Sequence, residues 1–178
     1  MIYLVSENRQ LFQSEHYEMI SVEKSLEIIQ SWDIVQFDTE TSGRDPHVCK
    51  VLCAQFGNRE AGIQVVVDTT TTNLLLYKDI LETKLIVGHN LKFDIQFLYQ
   101  YEIIPTKVWD TMIIEQLLHL GFDNRFFHYS LQAVADRRLK IDIDKTTRGE
   151  IIWRGLDDQV VLYAAGDVVY LEDIRDQQ

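Results

Sequence analysis

Ile34-Val35-Gln36-Phe37-Asp38-Thr39-Glu40-Thr41 is the stretch on which the fold of this chain turns. Its first half is β-branched and aromatic, a composition that fits a buried strand, and its second half carries two carboxylates two residues apart. Side chains alternate across a strand, so Asp38 and Glu40 leave the same face at the strand end. Two anions held side by side repel each other, and a divalent cation with oxygen ligands is the economical way to offset that repulsion.

Working outward, Ser21 to Gln30 has a capping serine and apolar residues at Val22, Leu26 and Ile29, the spacing of a helix that leads into the strand. Val51 to Phe56 and Ala61 to Val67 read as two more strands joined through Gly57-Asn58-Arg59-Glu60, a loop of hairpin length. Leu74 to Glu82 reads as a helix and Leu85 to Val87 as a short strand. Beyond them helical spacing dominates, over Leu91 to Tyr101, Asp110 to Leu120, Ser130 to Leu139 and one long run from Leu156 to Ile174, with an extended piece at Lys107 to Trp109 after Pro105. A meander of strands followed by strands alternating with helices predicts an α/β domain with a mixed sheet.

The chain has 178 residues, 46% of them hydrophobic, enough for one domain with a real core, so residues 1–178 are expected to form a single unit. Two prolines and eight glycines, spread without repeats or biased segments, mark no linker. Met1 to Asn8 lacks a basic region followed by a long apolar stretch, and no apolar run approaches the roughly 18 residues of a membrane span, so an intracellular, cytoplasmic protein without a membrane partner is expected. Cys49 and Cys53 lack the His or Cys partners of a zinc site and read as reduced structural thiols. A net charge of −11 argues against holding nucleic acid by a broad basic surface. Divalent cations bound by the acids would offset part of that excess.

Two further acidic groups stand out. In Gly88-His89-Asn90-Leu91-Lys92-Phe93-Asp94, again at a strand end, Asn90 and Asp94 lie one helical turn apart. Phe93, Phe97 and Leu98 look like core, and taken from the helix alone Asp94 is an ordinary exposed acid. In Tyr163-Ala164-Ala165-Gly166-Asp167, Tyr163 and Asp167 share a helical face by the same rule. The small residues between them allow another segment to approach closely. A helical glycine costs roughly 1 kcal/mol against alanine, so Gly166 hints at a steric need. Singly, each of these patterns recurs by chance.

In combination and order they resemble the DEDD superfamily of 3′ to 5′ exonucleases, and more closely the proofreading domain of family A DNA polymerases, from Ile34 to the C-terminus. The Asp-x-Glu motif falls on Asp38 and Glu40, the second motif on Asn90, Phe93 and Asp94, and Tyr-x-x-x-Asp on Tyr163 and Asp167. Trp109-Asp110-Thr111-Met112 and Ser130-Leu131-Gln132-Ala133-Val134-Ala135 resemble intervening segments of the family. The tyrosine subtype is indicated because the histidine subtype carries His where this chain has Leu162.

The resemblance implies a ribonuclease H-like fold, a five-stranded mixed sheet flanked by helices. It implies that Asp38, Glu40, Asp94 and Asp167 bind two divalent cations, Mg²⁺ or Mn²⁺, that Tyr163 orients the attacking water, and that 5′-mononucleotides leave. Its implied partner is nucleic acid, the 3′ end of single-stranded DNA first, with Asn90, Thr39 and Arg44 as candidate substrate contacts. Asn90 reads equally well as a helix cap, and Asp110 reads better as one.

Two departures stand against the resemblance. Gly43 and Arg44 occupy the neighbourhood where polymerase relatives often carry an apolar residue that wedges the terminal bases. The sequence also stops at Gln178, soon after the third motif, which leaves open a stand-alone nuclease or the N-terminal part of a longer polymerase, working with a polymerase in cis or in trans. The alternatives are an RNA-trimming exoribonuclease of the same superfamily and a non-catalytic nuclease-like binding module. Arg137, Arg138, Lys140, Lys145, Arg148 and Arg154 are interleaved with Asp136, Asp142, Asp144 and Glu150, so a solvated mixed surface is expected there. His16, His47, His89, His119 and His128 form no metal spacing, and Tyr99, Tyr101, Phe126, Phe127 and Tyr129 read as core in preference to base-stacking residues.

Overall fold

In the computed structural model, residues 1–121, 127–143 and 156–178 are described. Seven strands among them form one sheet: β1 (Ile2–Val5), β2 (Glu18–Met19), β3 (Ile34–Thr41), β4 (Val51–Asn58), β5 (Ile63–Asp68), β6 (Leu85–Gly88) and β7 (Val108–Asp110). Their order is β2-β1-β5-β4-β3-β6-β7. The meander β3-β4-β5 is antiparallel, and the remaining neighbours pair parallel. The expected five strands are therefore present as β5-β4-β3-β6-β7, and two more extend the edge. Tyr3 sits opposite Val65 on β1, and Glu18 opposite Tyr3 on β2.

The helices are α1 (Val22–Gln30), α2 (Lys78–Thr83), α3 (Leu91–Leu98), α4 (Thr111–Leu118), α5 (Leu131–Leu139), α6 (Asp158–Asp167) and α7 (Leu171–Gln177). The segment expected to be helical from Leu74 begins as a 3-10 turn, Leu74–Tyr77, before α2. Both faces of the sheet are buried. Val35, Phe37, Phe56 and Val65 pack against Ile29, Leu81, Leu91 and Phe97 on one side. On the other, Leu4, Cys53 and Val66 meet Val161, Ala164 and Ala165 of α6, while Val87 meets α5 and α7 through Val134 and Leu171. Two covered faces explain why the first half of β3 and most of β4 read as nearly continuous apolar runs.

The long helix expected over Leu156 to Ile174 is two helices. α6 ends at Asp167, and α7 restarts at Leu171, where the side-chain oxygen of Gln36 accepts the Glu172 N–H at 2.9 Å. The break lets Asp167 sit at the end of its helix, and it satisfies a donor of α7 from inside the sheet. Among the described residues no helix is long and apolar enough to cross a membrane.

Candidate active site

Alternation along β3 sorts its polar end into two sides. Glu40 lies opposite Cys53, which packs beneath α6, so Glu40 and Asp38 share the α6 face. Phe37 packs into the core that contains Leu91 and Phe97 of α3, so Thr39 belongs to the α3 face. α6 delivers Asp167 at its last residue, 8% exposed, and oxygens of Asp38, Glu40 and Asp167 lie within 4.8 Å of one another. The pairing of β3 with β4 shifts register between Glu40 and Thr41, a bulge placed where the acids converge. The expected pairing of Asp38 with Glu40, and their meeting with Asp167, are both found.

Asp94 stands outside this trio and reaches the strand end from the other face. Thr39 Oγ1 donates to Asp94 Oδ1 at 2.6 Å, and Asp94 is 2% exposed, which overturns its reading as an exposed helix acid. Burial pushes its carboxyl up, hydrogen bonds from Thr39 and from the Asp94 and Thr39 backbone pull it down, and the charge of Asp110 adds a further upward push. The outcome is about 7. The start of α3 comes this close because Gly88 has no side chain: a Cβ there would collide with the Leu91 side chain and lie 2.8 Å from the Phe37 carbonyl oxygen. Gly166, read as sterically required, is not, since a Cβ there would meet nothing within 4 Å.

Asn90 holds the cap position of α3 in the left-handed conformation, φ 63°, and its side chain makes no cap bond. Its backbone N–H donates to Asp110 Oδ1 at 3.0 Å. Asp110 caps α4 through Met112 and Ile113, as expected of it. Asn90 and Arg44 are exposed, whereas the Thr39 hydroxyl is buried and committed to Asp94, so its role in the fold is to hold an acid. Tyr163 lies one turn before Asp167 on α6. His89, given no role from sequence, bridges Thr111 Oγ1 and the Tyr129 carbonyl, each at 2.9 Å, and so ties the second motif to the segment before α5.

The basic residues of α5 are engaged elsewhere. Arg137 Nη1 and Arg138 Nε meet the fully buried carboxylate of Glu115 at 2.8 and 2.9 Å, and Arg137 also lies over the Phe127 ring. Phe127 packs on His119 with centroids 4.3 Å apart. Phe126, Asp144, Lys145, Arg148, Glu150 and Arg154 lie outside the described residues. Sequence reasoning missed the Glu115 pairing and the Thr39 tie to Asp94, because each joins residues brought together only by the fold. Both cysteines are free, and burial, followed by the charges of Glu40, Asp38 and Asp68, pushes the Cys53 thiol far up, which keeps it protonated and inert.

Three carboxylates with mutually close oxygens form an oxygen-only donor set, which suits a hard divalent cation such as Mg²⁺ or Mn²⁺ in preference to zinc or copper. Fold and site together define a ribonuclease H-like α/β domain with an acidic centre suited to phosphodiester chemistry. More specifically, the chain belongs to the 3′-5′ exonuclease domain family, which it matches over residues 16–177. It is 30% identical over 161 residues to DNA polymerase I of Aquifex aeolicus (strain VF5), covering 86% of this chain and 25% of that protein. It is 38% identical over 76 residues to ribonuclease D of Haemophilus influenzae, covering 42% of this chain and 18% of that one. The chain thus spans a quarter or less of these relatives. The fold resembles the catalytic core of RRP6 from Trypanosoma brucei (TM-score 0.77, 17% identity, 99% of this chain and 45% of that one). It also resembles Brucella melitensis NrnC (TM-score 0.71, 20% identity, 98% and 78%).

Proposed function

We propose that this chain is a divalent-cation-dependent exonuclease that hydrolyses the terminal phosphodiester at the 3′ end of a single strand and releases 5′-mononucleotides. The observation that carries the reading is the convergence of Asp38, Glu40 and Asp167 within 4.8 Å, in a chain of the 3′-5′ exonuclease family. In this reading Asp38, Glu40 and Asp167 hold one cation, Mg²⁺ or Mn²⁺, and Asp94 supports a second from the opposite face of β3. Bound there, divalent cations stabilise charge on the phosphoryl group and make a nucleophile available near neutral pH. The chain's own part is positional. Tyr163 orients the attacking water, Thr39 fixes Asp94, and Asn90 and Arg44 contact the terminal nucleotide.

Single-stranded DNA is the substrate suggested by the likeness to a DNA polymerase, and a polymerase in cis or in trans is the corresponding partner, with residues 1–178 acting as one exonuclease domain. A second reading, an exoribonuclease, is favoured equally by the likeness to ribonuclease D and by the fold shared with NrnC, which has been seen with bound Mg²⁺ and with bound pGG. Matched 5′-labelled DNA and RNA strands, incubated with Mg²⁺, Mn²⁺ or chelator beside an Asp38→Ala variant, test both. A metal-dependent ladder that shortens from the 3′ end, absent in the variant, is expected, and the faster strand names the substrate. Binding of either strand without shortening would refute catalysis and leave a binding module.

A further inference from the structure

An open cleft of about 460 Å³ is walled by Pro46 and His47 on one side and by Gln96, Tyr99 and Gln100 on the other. That volume lies within the range of about 300 to 1,000 Å³ typical of ligand sites. Both walls start at the acids. The first is the connection between β3 and β4, which leaves Thr41 directly after Glu40. The second is α3 and the 3-10 turn Tyr99–Tyr101 that continues it, beginning at Asn90 and Asp94.

Asn90, Phe93, Gln96 and Gln100 are spaced three, three and four residues apart, so they form one stripe along this helix. A strand whose terminal nucleotide lies at Asn90 therefore finds the cleft farther along the same stripe. Gln100 is six residues beyond Asp94, a rise of about 9 Å, which places the cleft roughly one to two nucleotides from the scissile bond.

The lining matches the chemistry of a base. Tyr99 is 56% exposed and offers an aromatic face, and Pro46 offers an apolar one. Gln96 and Gln100 carry amides that donate and accept, and so can pair with the edge of any base. Arg44, Lys50 and Lys92 are exposed around the same two walls and bring positive charge for the strand's phosphates, with Asp45 as the opposing acid, one oxygen of which accepts the His47 N–H at 2.9 Å. Every other tyrosine or phenylalanine weighed as a base-stacking residue and described in the structure is less exposed than Tyr99.

We infer that this cleft binds the nucleobase of a nucleotide upstream of the scissile bond, stacked on Tyr99 and held by Gln96 and Gln100. The inference rests on the exonuclease reading and names where that site grips its strand beyond the terminal nucleotide. It predicts that strands longer than a dinucleotide are handled better because the cleft is filled.

The test compares kcat/KM for a dinucleotide and a tetranucleotide, in DNA and RNA versions, for the wild-type chain, Tyr99→Ala and Gln96→Ala/Gln100→Ala. A parallel measurement follows the fluorescence of a tetranucleotide with 2-aminopurine two positions from its 3′ end, bound in the presence of chelator. The ratio of tetranucleotide to dinucleotide kcat/KM is expected to fall about tenfold in Tyr99→Ala, since the aromatic ring on which the upstream base stacks is removed. Quenching of the probe is expected to weaken with it. A merely structural effect would lower both substrates alike and shift the melting temperature. An unchanged ratio together with unchanged quenching overturns the inference. Absence of cleavage by the wild type would refute the exonuclease reading instead, and the quenching measurement would then decide the cleft by itself.

Discussion

Asp94 on α3 and Glu115 on α4 are both buried carboxylates, 2% and 0% exposed, yet their surroundings drive them in opposite directions. Burial raises both. At Glu115 the hydrogen bonds from Gln178, Arg137 and Arg138, with the charge of Arg138, more than reverse that rise and hold the carboxyl below its usual range. At Asp94 the partner is the neutral hydroxyl of Thr39, the nearby charge is another acid, Asp110, and the carboxyl stays at about 7. Where the fold supplies guanidinium groups, a buried acid is a strut. Where it supplies only neutral donors, the Thr39 hydroxyl and backbone N–H groups, the acid keeps a demand for positive charge that a cation at the neighbouring trio can meet. Burial alone does not separate the two, and the sign of the charges around each acid does.

The largest expected effect falls on turnover. Asp94→Ala is expected to reduce 3′-end cleavage by about a thousandfold, the equivalent of roughly 4 kcal/mol of transition-state stabilisation. At pH 8 without metal, Asp94→Asn is expected to be no less stable than wild type in urea melts, because a charge that the fold compensates poorly has been removed. A loss of stability matching that of Glu115→Gln would break the comparison.

Glu115→Gln is expected to show the reverse pattern. Breaking a buried ion pair by removing one partner costs about 3–5 kcal/mol. The lower end, about 3 kcal/mol, is expected here because the Arg137 and Arg138 side chains are 25% and 24% exposed and recover some hydration. Turnover per folded molecule should change little. A large fall in kcat with an unchanged urea midpoint would show that Glu115 is no strut.

The two acids also separate along the pH axis of the metal-free protein. A carboxyl held low, as Glu115 is, contributes stability above its unfolded value of about 4.3 and loses it as the pH falls through its folded value. A carboxyl raised to about 7, as Asp94 is, contributes stability that is complete below about 4 and is lost as the pH rises toward 7. Urea midpoints from pH 3 to 8 are therefore expected to flatten above pH 4 in Asp94→Asn and below it in Glu115→Gln. If the Asp94→Asn curve keeps the wild-type slope between pH 4 and 7, the acid is not raised in solution.

Patterns of short range were legible in the sequence. Asp38 and Glu40 share a face because alternation is a property of one strand, and Tyr163 and Asp167 share one because a helical turn is four residues long. The core of five strands followed from the same local signals and from the family resemblance. What was hidden depends on contacts distant in sequence. The break after Asp167 is stabilised by Gln36, whose oxygen meets Glu172 across 136 residues. β1 and β2 exist as strands because β5 offers β1 an edge, which Ile2 to Val5 cannot announce on their own. Asp94 looked exposed because its helix was read without the strand that covers it.

The smallest expected effect probes the hydroxyl that sets Asp94 apart from Glu115. Thr39→Val keeps the shape of the side chain and removes the 2.6 Å bond to Asp94, in a place where Thr39 is 5% exposed and no water readily replaces it. Loss of one such bond costs about 1 kcal/mol, and up to about 3 when it leaves a buried acceptor unsatisfied. The lower figure is expected at pH 5, where Asp94 is protonated and its hydroxyl can turn to another acceptor. At pH 8 Asp94 is ionised, and a larger loss of about 2 kcal/mol is expected. Thr39→Ser should restore both stability and turnover, since it returns the donor without the methyl group. Equal losses in the serine and valine variants would assign the effect to packing of the methyl and remove Thr39 from the positioning of Asp94.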